Sequence, residues 1–394
     1  MRPGRRAPTL EAKRRLKMAR SAHAYVRGST VEFYQWLESG QRGIPEGPPI
    51  WICGDCHVGN LGPLADAKGR VAVQIRDLDQ TVIGNPADDL IRLALSLASA
   101  ARGSDLPGVT TARILERMVE GYEAALNGGF EDGRDKSHRP RSIQKLLERS
   151  VRRRWRQLAT EHLETVKPKL PLGKKFWPMT RAETAGLREL FAKPDIRAMV
   201  TGLKERADDS SVEMVDAAYW LKGCSSLGRL RFAAMLRIGE DDDEDFCLVD
   251  IKEATPAAAP RSPSRMPRDN AIRVVTGAAA LSPNLGQRMK AARLLNRAVV
   301  LRELMPQDLK IEVDRLTADE ATALAAYLAG VVGRAHGRQL DHAGRASWLK
   351  EMRRTRSTEL DAPSWLWSSV VELISRHEAA YLDHCRRFAL ANAG

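Results

Sequence analysis

The order of secondary-structure patterns along the chain is the feature that most limits its fold. Helical periodicity dominates the first 214 residues and returns after residue 305. Between these parts, short apolar segments separated by glycines predict antiparallel strands, among them 230–238, 246–251 and 298–301. The sequence therefore predicts an α+β protein in which a small β-rich lobe, residues 215–305, interrupts a helix-rich large lobe made of 1–214 and 306–394.

Composition narrows the class of protein. The chain has 394 residues, of which 43% are hydrophobic and 29% are charged, so it can bury a large core and is not a disordered chain. No apolar run approaches 18 residues, which predicts that no segment spans a membrane. The basic N-terminus is not followed by an apolar stretch, and five cysteines do not indicate a disulfide framework. We therefore expect a cytoplasmic protein.

Positive charge is concentrated in two segments. The net charge is +13, and residues 1–20 hold eight Lys or Arg against one acid. Residues 134–175 hold fourteen Lys or Arg against four acids, and the rest of the chain is slightly acidic. Such segments are either solvated surface or attract an anionic partner, for which nucleic acid, a phosphorylated substrate and a lipid headgroup are the alternatives. We expect residues 134–175 to be helical or partly mobile and to lie in the large lobe.

A polar loop at residues 54–60, Gly-Asp-Cys-His-Val-Gly-Asn, carries the strongest chemical signal. It follows a predicted buried strand at 50–53, and a second strand, Val71–Ile75, is expected to pair with that strand and to end before Asp77. The Asp-x-x-x-x-Asn spacing of Asp55 and Asn60 occurs in the catalytic loop of phosphotransferases, where the Asp accepts the proton of an attacking hydroxyl. Asn60 and Asp77 would then hold Mg²⁺.

Two nearby residues, His57 and Asp79, each allow two interpretations. His57 would either orient the loop or pack in the core. Asp79 would either be a further metal ligand or form a turn at the strand end.

This loop resembles the "GDxHxGN" loop of aminoglycoside and choline-type phosphotransferases. The segment 69–90, with Asn-Pro-Ala-Asp-Asp-Leu at its end, is similar to the "GDPAxDLA" segment of the same family. The resemblance implies that Asp55 is the catalytic base, that Asn60 and Asp77 are Mg²⁺ ligands, and that Asp89 braces the backbone of the loop. "AYVRGS" before it and "IKEA" after it further resemble a bacterial family catalogued as domain of unknown function 2252.

The order of the segments implies a circularly permuted, two-lobe, protein-kinase-like fold, because the strand-rich part follows the catalytic loop instead of preceding it. The turn at 223–228, with Gly223, Ser225, Ser226 and Gly228, resembles a nucleotide-covering glycine-rich turn. Lys252 resembles the strand lysine that contacts the α- and β-phosphates of ATP. The segment Arg302, Glu303 and Leu304 resembles the hinge strand, whose backbone would hold adenine.

One departure from the family pattern concerns the partner of that lysine. The helix that usually supplies a Glu would be Asn270–Leu281, which contains no acidic residue. Either the acid comes from elsewhere, or Lys252 is not the phosphate lysine.

Cysteines in the loop allow rival interpretations. Cys53, Cys56 and His57 match the C-x-x-C-H pattern of c-type haem attachment, and they also allow a redox pair or a metal site. Haem attachment requires export, for which the sequence shows no signal. A metal site would need a fourth ligand, and none is evident. A redox motif would open a helix, which Pro63 disfavours. Buried packing residues are the remaining interpretation.

The sequence thus predicts a Mg²⁺- and ATP-dependent phosphotransferase whose acceptor it does not identify. The alternatives are a kinase-like regulator that binds nucleotide without turnover and a basic nucleic-acid-binding protein that uses residues 134–175. If residues 134–175 lie beside the cleft, their positive charge would steer an anionic acceptor towards it.

Overall fold

The chain is described here from a computed structural model that covers residues 3–40, 43–129, 139–154, 158–159, 169–203, 206, 210–223, 227–239, 245–260, 266–311, 316–354 and 362–388. It is an α+β protein with one six-stranded antiparallel sheet and an extensive helical region, in agreement with the predicted fold class. The helices are α1 (Pro3–Met18), α2 (Ala22–Val26), α3 (Thr30–Glu38), α4 (Pro86–Gly103), α5 (Gly108–Leu126), α6 (Arg141–Val151), α7 (Arg181–Ala192), α8 (Pro194–Thr201), α9 (Asn270–Leu281), α10 (Pro283–Gly286), α11 (Ala318–Gly337), α12 (His342–Arg353) and α13 (Ser364–Phe388).

Local sequence signals set the ends of the two central helices. Asn85 caps α4 by accepting a hydrogen bond from the backbone N–H of Ala87, and Pro86 occupies the first helical turn. Thr317 and Glu320 form a capping box at the start of α11, as the Thr-x-x-Glu pattern favours. α4, α5 and α11 pack together with α13 to make the core of the helical region.

The strands form one large sheet and two small hairpin-like pairs. They are β1 (Ile50–Ile52), β2 (Leu61–Ala65), β3 (Val71–Ile75), β4 (Val82–Gly84), β5 (Phe176–Trp177), β6 (Val212–Trp220), β7 (Arg231–Ile238), β8 (Asp245–Glu253), β9 (Met289–Leu294) and β10 (Arg297–Leu304). The order in the large sheet is β5-β6-β7-β8-β10-β9, and its neighbours are antiparallel. α9 lies between β8 and β9 in the chain and packs on β9 and β10.

The two faces of the large sheet bury different parts of the chain. One face packs against α7, α8 and Leu10 of α1, with Phe232, Val249 and Leu301 in the shared core. The other face forms a cluster in which Met235, Leu248 and Leu304 meet Leu158, Ala159 and Leu170. This second face is also the one that carries Lys252, since residues 248, 250 and 252 alternate to the same side of β8.

The pairing predicted for β3 is wrong. β3 pairs with β2, with Leu61 opposite Ile75, whereas the predicted strand at 50–53 is β1 and pairs with β4. β2 was not predicted from the sequence, because glycine and proline, here Gly62 and Pro63, are disfavoured in strands. The consequence for Asp77 is small, because β2 begins directly after Asn60 and its pairing brings the end of β3 to the same place.

We find no helix in the described part of the chain that is long and apolar enough to cross a membrane.

Candidate active site

A buried carboxylate holds the loop between β1 and β2 in place. Asp89, in the first turn of α4, is fully buried and accepts hydrogen bonds from the backbone N–H groups of Cys53 and Gly54, at 2.7 and 2.9 Å. Nε2 of His336, in the last turn of α11, lies 3.2 Å from the same carboxylate. The prediction that Asp89 braces this loop is confirmed at the level of its hydrogen bonds.

Gly54 allows this loop to approach the next one closely. Its φ is +74°, a left-handed conformation that favours glycine. A Cβ atom at this position would lie 2.1 Å from the carbonyl oxygen of Gln80. The loop that carries Asp55 therefore packs backbone to backbone against the segment that follows Asp77 and Asp79.

Asp55 lies in a buried, charged environment. It is 6% exposed, and its Oδ1 accepts a hydrogen bond from Nε of Arg92 at 2.9 Å. Burial raises the pKa of Asp55, although the charge of Arg92 opposes this. Arg92 was missed in the sequence, although it lies three residues after Asp89, on a neighbouring position of the same helix face. The carboxylate thus takes up a proton more readily than an exposed Asp would.

His57 is buried beside Asp55. Its Nε2 lies 3.9 Å from Oδ2 of Asp55. Burial and the positive charges of Arg27 and Arg92 hold the pKa of His57 well below its ordinary value, so the imidazole is neutral at neutral pH. A neutral ring can orient its neighbours but does not add positive charge to the loop.

Asn60 connects the loop to the β2–β3 hairpin. The side-chain NH₂ of Asn60 donates a hydrogen bond to the backbone carbonyl of Asp55 at 3.0 Å. The backbone carbonyl of Asn60 accepts a hydrogen bond from the backbone N–H of Arg76 at 2.6 Å. These contacts set Asn60 beside Asp77, the residue after Arg76. The amide oxygen of Asn60 takes no part in either bond and is therefore available as a metal ligand.

Asp77 and Asp79 meet Lys252 at the junction of the hairpin and the large sheet. Nζ of Lys252 lies 3.6 Å from Oδ2 of Asp77 and forms a close ion pair with Asp79. Removal from bulk water would raise the pKa of Asp77, but the charges of Lys252, Arg302 and Arg231 outweigh this and hold it below its ordinary value. The kinase-like fold that the sequence implies would bring Asp55, Asn60, Asp77 and Lys252 to one cleft. The structure brings Lys252 to Asp77, whereas Asp55 and Asn60 are not among the residues that line their pocket.

An additional charged cluster, which sequence reasoning missed, continues this pocket. Nε of Arg231 donates to Oδ1 of Asp250 at 2.8 Å, and a second guanidinium nitrogen contacts Oδ2. Nη2 of Arg302 lies 3.8 Å from the same carboxylate, and its Nη1 donates to the carbonyl of Arg76 at 2.9 Å. Burial would raise the pKa of Asp250, but Arg231 holds it below its ordinary value. These residues line one pocket with Asp77, Asp79 and Lys252.

The glycine-rich turn can be followed only at its ends. Gly223 and Gly228 have φ values of +99° and +98°, which fits a tight turn of glycines. The carbonyl of Gly223 accepts a hydrogen bond from Nζ of Lys17 at 2.8 Å. Ser225 and Ser226 lie outside the described residues, so a nucleotide contact at this turn stays a prediction.

The predicted hinge residues lie at the end of β10, between β8 and β9. Glu303 is fully buried and forms an ion pair with Arg206 at 2.8 Å. Its backbone carbonyl accepts a hydrogen bond from Arg288 at 3.1 Å. Leu304 is 5% exposed and belongs to the apolar cluster on the Lys252 face of the sheet.

α9, which contains no acidic residue, contributes an arginine to this junction. Arg273 is buried and donates hydrogen bonds to the carbonyls of Asp79 and Thr255 at 3.0 and 2.9 Å, and it contacts the carbonyl of Thr81 as well. The acidic partner of Lys252 therefore comes from the segment after β3, and α9 fixes the backbone of that segment.

The two loop cysteines lie beside Asp89. Their sulfur atoms and one Asp89 oxygen are all within 4.8 Å of one another, and Cys53 and Cys56 are fully buried. The contact with Cys56 and burial raise the pKa of the Cys53 thiol well above its ordinary value. Asp89 is already engaged by two N–H groups and His336. A protonated, buried thiol pair favours the packing interpretation over a haem, redox or metal role.

Part of the basic stretch can be located. Arg141–Val151 is helical, as expected, and packs against β2, β3 and α11 in the helical region. The hydroxyl of Ser150 donates to the carbonyl of Gln307 at 2.5 Å, three residues beyond β10. Residues 134–138, 155–157 and 160–168 lie outside the described residues. α6 therefore lies beside the hairpin that connects Asn60 and Asp77, whereas Leu158, Ala159 and Leu170 of the same stretch pack on the large sheet.

Comparison with known proteins identifies the family and no more. Residues 6–387 match the family of uncharacterized proteins conserved in bacteria known as DUF2252, and the chain belongs to it. Neither a curated protein nor a solved structure matches the chain.

Proposed function

We propose that this DUF2252 protein is a Mg²⁺- and ATP-dependent phosphotransferase that acts on a hydroxyl group of an acceptor. The observation that carries the proposal is the meeting of Lys252 with Asp77 and Asp79 in one pocket. Phosphoryl transfer requires carboxylates for a cation and a fixed positive charge for phosphates in the same place. Two segments that are distant in the sequence supply both.

The oxygen atoms around Asp77 suit Mg²⁺. Asp77 and Asp79 offer carboxylate oxygens and Asn60 an amide oxygen, which are the hard ligands that Mg²⁺ prefers. The depressed pKa of Asp77 keeps its carboxylate charged at neutral pH. A bound Mg²⁺ would supply charge neutralisation for the β- and γ-phosphates.

Asp55 is the proposed base for the acceptor hydroxyl. Its backbone carbonyl accepts a hydrogen bond from the side chain of Asn60, so the base and one proposed cation ligand belong to the same loop. The raised pKa of Asp55 favours proton uptake, and Arg92 keeps the carboxylate oriented. Lys252 would hold the phosphates against this loop.

A permuted, two-lobe, kinase-like arrangement is part of this proposal. Its support is the antiparallel sheet with α9 inserted between β8 and β9, and the passage of the chain from β10 towards α11. In it, the sheet is the nucleotide-binding lobe, and the helical region carries the catalytic loop.

Calorimetry of ATP with and without Mg²⁺ tests the cation site. Asp77→Asn and Lys252→Met should each weaken Mg·ATP binding by about tenfold or more, which corresponds to about 1.4 kcal/mol. Lys290 and Asp195 provide the matched control, because they form a Lys–Asp pair at the same 3.6 Å distance but do not line the pocket. Asp195→Asn and Lys290→Met should bind Mg·ATP as the parent does. Equal binding by all four variants would contradict the assignment.

Asp55→Asn separates catalysis from binding. It should bind Mg·ATP within about twofold of the parent, because the proposed role of Asp55 is exercised on the acceptor. A screen of metabolites for an ATP-dependent gain of one phosphate in mass would identify the acceptor with the parent protein. The same screen should give no product with Asp55→Asn.

A nucleotide-binding protein without turnover is the second candidate. The observation that favours it is the buried ion pair between Asp55 and Arg92, which occupies one carboxylate oxygen of the proposed base. Mg·ATP binding that depends on Asp77, together with no product across a broad acceptor panel, would favour this candidate.

A further inference from the structure

We propose that the pocket recognises the phosphate chain of its nucleotide and discriminates little between nucleobases. This inference rests on the proposed function, because it concerns the donor that the same pocket would bind. It follows from how side chains are arranged in successive rows across the sheet face that carries Lys252.

The register of the strands defines three rows on this face. Lys252 lies opposite Arg231 on β7 and Val300 on β10. Two residues earlier, Asp250 lies opposite Ala233 and Arg302, and two residues earlier again, Leu248 lies opposite Met235 and Leu304. Successive rows are about 7 Å apart, because a strand rises about 3.4 Å per residue.

The first two rows are charged. They place Lys252, Arg231 and Arg302 in one pocket, and the carboxylates facing them are Asp77, Asp79 and Asp250. A cation bound by Asp77 and Asp79 would neutralise these two carboxylates. Among the described residues that line this pocket, Asp250 is the acid that would then still face Lys252, Arg231 and Arg302, which gives a site that suits a polyanion.

The third row, where a base could stack on apolar side chains, is already covered. Met235 and Leu248 are fully buried and Leu304 is 5% exposed, in one cluster with Leu158 and Leu170. In the second row, the buried ion pair of Asp250 with Arg231 takes the place of an apolar surface.

The backbone next to this row is engaged too. The carbonyl of Glu303 accepts the hydrogen bond from Arg288, whose guanidinium is fixed by Asp308 at 3.0 Å. A purine would have to displace packed side chains to reach this end of the strand, whereas the charged side chains of the first two rows line the pocket. The phosphates should therefore dominate the affinity.

Calorimetry with four probes tests the inference on the intact chain in the presence of Mg²⁺: ATP, GTP, UTP and inorganic tripolyphosphate. We expect dissociation constants within about threefold of one another, and tripolyphosphate should displace ATP competitively. ATP binding that is at least about tenfold tighter than binding of the other three would overturn the inference and leave the proposed function standing. No binding of any probe would overturn both.

A pair of arginine variants on β10 locates the phosphate site. Arg302→Gln should weaken all four probes by a similar factor, about tenfold, because Arg302 faces the phosphates and not the base. Arg297→Gln is the matched control on the same strand, since Arg297 is 57% exposed and pairs with Glu253. If Arg302→Gln weakens only the nucleotides, or if Arg297→Gln weakens tripolyphosphate equally, the phosphate site lies elsewhere. Thermal melting checks that both variants fold, and the four-probe comparison does not depend on them.

Discussion

Two neighbouring aspartates in the first turn of α4 should respond in opposite directions to the same substitution. Asp89 is fully buried and accepts two backbone hydrogen bonds from the loop that carries Asp55. Asp88 is partly buried, and in the described part of the chain we find no hydrogen bond or ion pair to its carboxylate. We expect Asp89→Asn to destabilise the protein and Asp88→Asn to stabilise it above neutral pH.

The magnitude for Asp89 follows from its two acceptors. An asparagine keeps one carbonyl oxygen for one N–H but turns an NH₂ group towards the other. The loss of a hydrogen bond to a charged group costs about 1.5–3 kcal/mol, and a buried donor left without a partner costs about 1–3 kcal/mol. We therefore expect Asp89→Asn to lower the free energy of unfolding by about 3–5 kcal/mol.

The expectation for Asp88 depends on pH. Burial and the neighbouring charge of Asp89 raise the pKa of Asp88 to about 7. A carboxyl whose pKa is higher in the folded than in the unfolded state binds protons on folding, so stability falls as pH rises from about 4 to 7. Asn carries no such charge. The advantage of Asp88→Asn over the parent should grow by about 1–3 kcal/mol between pH 5 and pH 8.

Urea unfolding followed by circular dichroism at pH 5 and pH 8 measures both effects. The reasoning would be refuted if Asp89→Asn and Asp88→Asn changed the free energy of unfolding equally, or if the effect of Asp88→Asn were the same at both pH values. The slope of unfolding free energy against urea concentration should stay constant, which shows that the substitutions act on stability and not on the extent of unfolding.

Two further predictions concern stability. Gly54→Ala should lower the free energy of unfolding more than Gly69→Ala, although both residues have a left-handed φ, of +74° and +78°. A Cβ atom at position 54 would collide with the Gln80 carbonyl, whereas a Cβ atom at position 69 would have no atom within 4 Å. We expect about 1 kcal/mol at 69 and several at 54, measured by urea unfolding. In the buried pair of Arg231 and Asp250, Arg231→Met alone should lower the free energy of unfolding by about 3–5 kcal/mol. Adding Asp250→Leu should recover most of that loss. Additive losses in a double-mutant cycle would contradict this prediction.

Helices were predictable because their signals are local. The capping residues Asn85 and Thr317 and the apolar periodicity after them act within a few residues, and both helices begin where these signals stand. β2 was not predictable in the same way. Gly62 and Pro63 weaken its strand pattern, and only its pairing with β3 makes it a strand.

The candidate site likewise contains residues that a local motif predicts and residues whose position depends on strand pairing. Asp55, Asn60 and Asp77 follow a short motif, so their proximity could be predicted even though the expected strand pairing was wrong. Arg231, Asp250 and the role of the Arg302 side chain could not be. Which strand residues face a pocket, and which lie opposite one another, depends on register, and a shift of one residue would reverse every side chain.

The absence of an acid in α9 is explained by the partner that Lys252 has instead. In the structure, Lys252 is held by Asp79 and Asp77, on the segment that would bind the cation, and Arg273 of α9 fixes the backbone of that segment. In the proposed function, the lysine and the cation would therefore compete for the same carboxylates. A cation that engages Asp77 and Asp79 would release Lys252 for phosphates, so in the proposed function metal binding and phosphate binding are coupled through one pair of side chains. In the phosphotransferases that the sequence resembles, a helix acid positions the lysine independently of the metal, and in the proposed function this chain would lack that independence.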